Sequence, residues 1–484
     1  MKLIQAVMVL VLFGGVAQAQ SADIEVLQKT VQDQGREIEE LKAKIARIEQ
    51  LLSRGIATES VAVVQPATFR ENVTAAPAVR PSPAQTTPAR PEIAGFRFSG
   101  DFRLRLDAAV RGASIQAPGL QNIRGRYRLR MNADRDVADN LNFHLQLSTG
   151  AVNNGITFDQ DFAWGVTRQP FFISEGYIDY HPNTNVSIRA GRVEEVFADN
   201  LRFLWDDDVR FNGFNERVRR GRFEFRAGQY FLINPNTFSV PAGSPLTLAG
   251  IQPGTIARAS QMYHQGVIAD SPINPRWRQQ FTADLQLYRN PNLIALTSNA
   301  TGVTVTVNPG IGLTVAGTAP GTGNATTSPN NAILFAPRFQ IVRGVYRLDA
   351  TQLDGNPRLP LTWVVQAARN VGASQLRDAM LTSLSVGRTT QKGDIRGMYM
   401  FAIKDANSLI SQFTDDDLGT GVGVNIATHH MRVDYTIRPN VFFQNLLFLQ
   451  TERRSSNPAA NFFVPLGRGT PRTWRYLGQF AFSF

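Results

Sequence analysis

From Gly95 to the C-terminus the chain alternates with period two. In residues 96–108 one face carries Phe96, Phe98, Gly100, Phe102, Leu104 and Leu106, and the other Arg97, Ser99, Asp101, Arg103, Arg105 and Asp107. Tyr127, Leu129 and Met131 then oppose Arg124, Arg126, Arg128, Arg130 and Asn132. Leu141, Phe143, Leu145 and Leu147 oppose Asn142, His144, Gln146 and Ser148. Late in the chain Ile395, Tyr399, Phe401 and Ile403 oppose Arg396, Met398, Met400 and Lys404, and Met431, Val433, Tyr435 and Ile437 oppose His430, Arg432, Asp434 and Arg438. Clusters of Asn, Asp, Gly and Pro separate the runs, as turns do. This pattern predicts antiparallel strands with one wholly apolar face. Nearly 400 residues alternate without an intervening amphipathic helix, which is too large for an ordinary one-domain soluble sandwich. A membrane barrel requires this pattern, with apolar side chains towards lipid and polar ones towards a watery lumen. Its backbone groups must all be paired, so the sheet must close.

The N-terminal part reads differently. Residues 1–19, MKLIQAVMVLVLFGGVAQA, place Lys2 before a short apolar run and end on Ala17-Gln18-Ala19. That is the layout of a cleavable export signal, and the run is too short to span a bilayer. Residues 20–53 carry a heptad seam, with Ile24, Val31, Ile38, Ile45 and Leu52 at position a and Leu27, Gln34, Leu41 and Ile48 at position d. Glu37 and Lys44 at g face Lys42 and Glu49 at e, so a parallel α-helical coiled coil is expected, with Ile at both seam positions leaning towards three strands. Residues 54–94 place Pro66, Pro77, Pro81, Pro83, Pro88 and Pro91 among Ala, Thr, Ser and Val. Such a stretch buries no core and is expected to be an extended linker.

The end of the chain sharpens the barrel reading. Trp474, Tyr476, Phe480, Phe482 and Phe484 fall on one face, interrupted by Gly478. This resembles the terminal strand of bacterial outer-membrane barrels, the signal read by their assembly machinery, and assigns Tyr476, Phe480, Phe482 and Phe484 to assembly. At ~10 residues per strand plus connections, residues 95–484 suit about 16 strands. An even number puts both barrel ends in the periplasm, and the coiled coil with them.

Composition narrows the chemistry. The absence of cysteine excludes disulfides, a thiolate zinc site and a cysteine nucleophile. The net charge of +11 rests on arginine; beyond residue 94 the lysines are Lys392 and Lys404. Basic charge often means nucleic acid, but an exported chain does not meet it. Arg97, Arg103, Arg105, Arg124, Arg126, Arg128, Arg130, Arg432 and Arg438 lie on the non-lipid face and are the candidate pore lining. Fixed positive charge in a narrow pore favours anions, and guanidinium matches phosphate and carboxylate. Asp101, Asp107 and Asp134 are alternative partners that would make the same arginines structural. Asp206-Asp207-Asp208 and Asp415-Asp416-Asp417 lack calcium-loop spacing and are expected as a solvated rim. Neither a metal site nor a cofactor is expected. His144, His181, His264, His429 and His430 form no catalytic pattern, and no HExxH, GxSxG or P-loop motif occurs, so no enzymatic activity is expected. Two loops stand out: 290–337, uncharged, with a hairpin expected at Val303–Val307 and Leu313–Val315, and 232–278, a candidate to fold into the pore.

Short motifs in order add a resemblance. Gly176-Tyr177-Ile178-Asp179-Tyr180, Ile188-Arg189-Ala190-Gly191-Arg192, Leu204-Trp205-Asp206-Asp207-Asp208, Leu359-Pro360-Leu361, Ala368–Ala373 and Phe413–Gly421 resemble the bacterial outer-membrane "putative porin" family, relatives of phosphate-selective porins. The resemblance spans about residues 96–484 and implies a 16-stranded channel assembled as a homotrimer. The expected function is passive diffusion of small hydrophilic solutes, anionic or neutral, across the outer membrane. The alternatives are a barrel anchor tethering the outer membrane to the cell wall through the coiled coil, and an outer-membrane barrel hydrolase, which the missing nucleophile disfavours.

Overall fold

The computed structural model describes residues 92–484, except for parts of the connections 112–119, 150–170, 194–210, 234–259, 290–339, 405–425 and 453–472. The export signal, the coiled coil and nearly all of the linker lie outside the described residues. What is described is almost wholly strand. The barrel strands are β1 Phe96–Arg111, β2 Leu120–Ala138, β3 Leu141–Thr149, β4 Phe171–Asn183, β5 Val186–Val193, β6 Phe211–Arg220, β7 Phe223–Ile233 and β8 Ser260–Pro272. The second half comprises β9 Trp277–Arg289, β10 Gln340–Ala350, β11 Leu361–Asn370, β12 Asp378–Gly387, β13 Ile395–Lys404, β14 Ile426–Arg438, β15 Val441–Glu452 and β16 Thr473–Ser483.

Each strand pairs antiparallel with the next, and β16 returns to pair with β1, from Asp101 opposite Ser483 to Val110 opposite Trp474. The sheet is therefore a closed 16-stranded antiparallel barrel without a free edge, the condition lipid imposes on a spanning sheet. Closure is completed at the C-terminal residue: the amide of Gly100 donates to the Phe484 carbonyl at 2.9 Å, and the amide of Phe484 to the Gly100 carbonyl at 3.0 Å. Among the described residues no helix is long and apolar enough to cross a membrane.

The two ends differ. At one, β2–β3, β4–β5, β6–β7 and β14–β15 are joined by two residues each, with Gly221 (φ 61°) and Asn440 (φ 66°) in the left-handed conformation that tight hairpins demand. Both termini of the barrel sequence lie at this end. At the other are the long connections, among them 290–339, where Val305–Val307 pairs with Leu313–Val315 as expected. The expected loop 232–278 is corrected: Ser260–Pro272 is a full strand, because its alternation of Met262, His264 and Ile268 inward with Tyr263, Gln265 and Val267 outward satisfies both faces.

The alternation translates directly into two faces. Leu104, Leu106, Val110, Phe214, Phe225, Phe231, Phe281, Met431 and Phe480 are exposed on the outside, while their sequence neighbours Arg103, Arg105, Asp107, Asn215, Arg226 and Thr282 are buried within. Apolar outside and polar inside is the reverse of a soluble fold and the rule for a membrane barrel. The interior also holds an apolar cluster that period two does not predict. Connection 194–210 folds inward after β5, and connection 405–425 after β13. Phe203, Leu204, Trp205 and Val209 from the first pack with Leu409, Ile410 and Phe413 from the second, against Phe211, Met400 and Phe448 of the wall. The Asp206 amide donates to the Phe413 carbonyl at 2.9 Å and joins the two segments. Asn324, fully buried, donates to the Ala406 and Leu409 carbonyls and accepts from the Ser411 amide, holding the second segment in place.

Candidate functional site: an arginine wall and the carboxylates that meet it

β1 and β2 run side by side with Arg103 opposite Arg128 and Arg105 opposite Arg126, so their inward positions form a block of guanidinium groups. β16 adds Arg475 from the other side, opposite Ala109. So much like charge persists on one wall only with counter-charges in reach, and the inward segments bring them. Asp159, from connection 150–170, sits 2.6 Å from Arg103, 2.8 Å from Arg105 and 3.5 Å from Arg126. Asp161 lies 2.7 Å from Arg126 and 3.0 Å from Arg124. Asp208 pairs with Arg128 at 3.1 Å. Asp417 lies 2.7 Å from Arg202, 2.9 Å from Arg475 and 3.5 Å from Arg105. The wall supplies two more carboxylates. Asp101 pairs with Arg128 and Arg130, and Asp107 with Arg124, Arg126 and Arg475.

The electrostatics follow from this geometry. Burial is the strongest influence on Asp159 and raises it, but the combined fields of Arg103, Arg105, Arg126 and Arg128 outweigh burial and hold its carboxyl well below the usual range. Asp417 behaves alike: burial raises it, and Arg475, Arg105, Arg202 and Arg103 pull it further down. Both are therefore ionised at any physiological pH, and each anchors an inward segment to the wall by charge.

The nine candidate arginines thus divide into groups. Arg103, Arg105, Arg126 and Arg128 are buried beneath the inward segments, each in an ion pair. Arg124, Arg130 and Arg432 are partly accessible. Arg432 shares Asp434 with Arg396, at 2.7 and 2.6 Å. Arg97 pairs with Asp136 near the short-turn end. Arg438 stands exposed at that end, where a register shift between Thr436 and Arg438 breaks the alternation. Asp101 and Asp107 do pair with the wall arginines; Asp134 bonds His144 Nδ1 at 2.6 Å.

The tract Asp206–Asp208 is not a solvated rim. Asp206 and Asp208 are buried, Asp208 also accepts from the Phe158 amide, and Asp207 pairs with Arg202. Their carboxylate oxygens lie within 4.8 Å of one another, but arginines already meet Asp207 and Asp208. Of the second tract, Asp415 and Asp416 lie outside the described residues. His429 and His430 face opposite ways, as adjacent strand residues must: His429 outward, His430 buried against Phe448 at 4.1 Å between ring centroids. The terminal face is outward as expected: Trp474, Tyr476, Phe480, Phe482 and Phe484 are exposed.

Sequence reasoning missed Arg475, although its parity opposite Trp474 and Tyr476 places it inside. It also missed Asp159, Asp161 and Arg202, and it expected Asp417 in a solvated rim, whereas Asp417 is buried among arginines; all four lie in connections where period two is silent.

A closed barrel, apolar outside and lined by paired charges, defines a transmembrane β-barrel of the porin type. Residues 118–241 match the model of a family described as "Putative porin", and the motifs at 176–180, 188–192 and 204–208 fall within that stretch. The high-pH structure of Pseudomonas putida OprB is similar with a TM-score of 0.48 at 10% identity, over 81% of this chain and 94% of that one. A mutant of Rh. blastica porin gives a TM-score of 0.40 at 9% identity, over 80% and 100%. No curated protein matches the chain. The barrel itself is established by this chain's own strand pairing.

Proposed function

We propose that the protein is a passive diffusion channel of the outer membrane for small hydrophilic solutes, with a preference for anions. The observation that carries this reading is the interior: a closed wall with many inward positions charged or amide-bearing, where guanidinium groups share a carboxylate. Arg396 and Arg432 share Asp434. Where two guanidiniums share one carboxylate, the pair keeps a positive residue of charge, and Arg130, Arg396 and Arg432 keep part of their surface free. A lumen edged in this way attracts anions and repels cations. The kinship with phosphate-selective porins belongs to this proposal, as do the export signal over residues 1–19, the periplasmic coiled coil over 20–53, the linker over 54–94, delivery by the barrel-assembly machinery and assembly as a homotrimer.

The inward segments support a second reading. The apolar cluster around Phe203, Trp205, Leu409 and Phe413 fills part of the interior, as a plug would in a barrel that only anchors the coiled coil to the membrane. Liposome swelling separates the two. A channel admits small sugars and organic anions at rates that fall with solute size. A barrel that fails to swell liposomes in any of them is an anchor.

A further inference from the structure

Charged side chains on the outer wall of a barrel belong where the strands leave the acyl layer, at the depth of the lipid headgroups. The short-turn end of β6 to β9 carries such charge in excess. Its two turns, over residues 219–224 and 270–278, hold Arg219, Arg220, Arg222, Arg276 and Arg278, all exposed, against Glu224 and Asp270. Arg219 pairs with Glu224 at 2.6 Å, and Arg278 with Asp270 at 2.6 Å. Arg226 takes the other oxygen of Glu224 at 2.6 Å, so both acids are engaged. Arg217 and Arg226, opposite one another, lie deeper on the lumen side. The side chains of Arg220, Arg222 and Arg276 have no hydrogen-bond or ion-pair partner among the described residues.

The two turns adjoin, because the Asp270 amide donates to the Arg222 carbonyl at 2.9 Å and holds the first turn against β8. Each of the three arginines stands just beyond an outward apolar side chain. On β6 the outward positions run Phe214, Glu216, Val218 and Arg220, while Arg222 directly precedes Phe223 and Arg276 directly precedes Trp277. Phe223, Phe225 and Phe281 are exposed on the outer wall, and Ala269 lies between Phe223 and Phe281 in the register. An aromatic border of this kind marks the boundary between acyl chains and headgroups. Two other charges share the outward face of this sector. Glu216 lies four residues from Arg220, about 13 Å deeper along the strand. Arg192 is deeper still, opposite Asn212, and donates to the Ser174 carbonyl. The neighbouring turns are not basic: Asn183-Thr184-Asn185 is uncharged, and the β10–β11 turn sets Arg358 near Asp354.

We propose that Arg220, Arg222 and Arg276 form a site for the phosphate of an anionic phospholipid in the leaflet at the short-turn end of the barrel. The inference rests on the outer-membrane reading and goes beyond the channel reading, since it concerns the outside of the wall and not the lumen. A guanidinium presents a planar fork of N–H donors that matches phosphate oxygens, and three of them without an internal acceptor keep those donors for an outside anion. Their place favours a lipid over a soluble polymer. The arginines adjoin aromatic side chains that acyl chains cover, so a molecule with an apolar tail and an anionic head satisfies both at once. With strands ~4.8 Å apart, the patch from β6 to β9 spans about 15 Å of rim.

The test uses the full-length protein and exploits its lack of cysteine. Ser271→Cys, outward on β8 between the two turns, carries a fluorophore that bromine quenches. The protein is reconstituted in phosphatidylcholine vesicles containing either brominated phosphatidylglycerol or brominated phosphatidylcholine. Leu384→Cys, outward on β12, carries the same fluorophore as the reference. At 271 brominated phosphatidylglycerol is expected to quench several-fold more effectively than brominated phosphatidylcholine; at 384 the two are expected to quench nearly alike. Combining Arg220→Gln, Arg222→Gln and Arg276→Gln should remove the preference at 271 with the barrel still heat-modifiable, because these side chains hold no other part of the fold. High salt should remove it without any substitution at the arginines. Equal quenching by the two lipids at 271, a preference that survives the triple variant or high salt, or an equal preference at 271 and 384 overturns the proposal. A preference abolished by excess inorganic phosphate at constant ionic strength also overturns it and makes the site one for soluble anions. Equal quenching together with pelleting on peptidoglycan sacculi through the same three arginines gives the patch to the cell wall instead. Conductance of the same vesicles judges the channel reading separately.

Discussion

The change Asp159→Asn removes one negative charge and almost no volume. Asp159 is fully buried and meets Arg103, Arg105 and Arg126 within 3.5 Å, so the variant takes the counter-charge from buried Arg103, while Arg105 keeps Asp417 and Arg126 keeps Asp161. Breaking a buried pair by neutralising one partner costs about 3–5 kcal/mol, against roughly 1 kcal/mol or less for a water-exposed pair. The assay is thermal unfolding in detergent, followed by heat-modifiable gel mobility, at neutral pH and along an acid series. A fall in the midpoint of several degrees is expected at neutral pH. The sign along the acid series follows from the lowered carboxyl. Its contribution is fully present above the ordinary carboxylate value of about 4 and is lost as pH falls through the depressed folded value. The wild type should therefore lose its advantage over Asp159→Asn only in strong acid, where both side chains are neutral. Equal midpoints at neutral pH would refute the buried cluster and return these arginines to open water.

Three further outcomes are expected. Arg130→Glu combined with Arg432→Glu, both partly accessible positions, should lower the anion-to-cation permeability ratio with conductance retained; an unchanged ratio removes these residues from selectivity. Deleting Phe484, or Gly100→Val, should sharply reduce folded barrel in the membrane, because a Cβ at position 100 would lie 2.6 Å from both the Phe484 ring and the Arg130 carbonyl. Gly344→Ala, whose Cβ meets nothing within 4 Å, is the control, and equal levels of all three proteins would contradict the closure argument. A peptide of residues 22–54 should self-associate in parallel, and sedimentation as a monomer at high micromolar concentration would reject the heptad reading.

The barrel was legible because period two is a local signal. Phe102, Leu104 and Leu106 against Arg103, Arg105 and Asp107 already assign both faces of β1, and the same parity assigns β2, β3, β13, β14 and β16 without any long-range contact. Strand bounds were less legible. β2 runs 19 residues and β5 only 8, because hydrogen bonding continues beyond the membrane band wherever a neighbour extends.

The candidate site was half legible. Parity places Arg126 and Arg128 inside, but their state depends on partners far along the chain: Arg105 meets Asp417 from 312 residues away, and Arg128 meets Asp208 from 80. No spacing rule reports where a connection folds. The physical hint lay in Phe203-Leu204-Trp205 standing directly before three aspartates. An apolar triplet in a connection needs burial, and burial carries the adjacent carboxylates inward with it, where only guanidinium groups can hold them ionised.

Reversal potential across a planar bilayer, with purified protein in a salt gradient, bears most directly on the central claim. An open channel whose potential has the sign of anion selectivity, shrinking towards zero as salt screens the lumen charge, is the predicted result. A barrel that inserts without conducting, or one that already prefers cations, would contradict it.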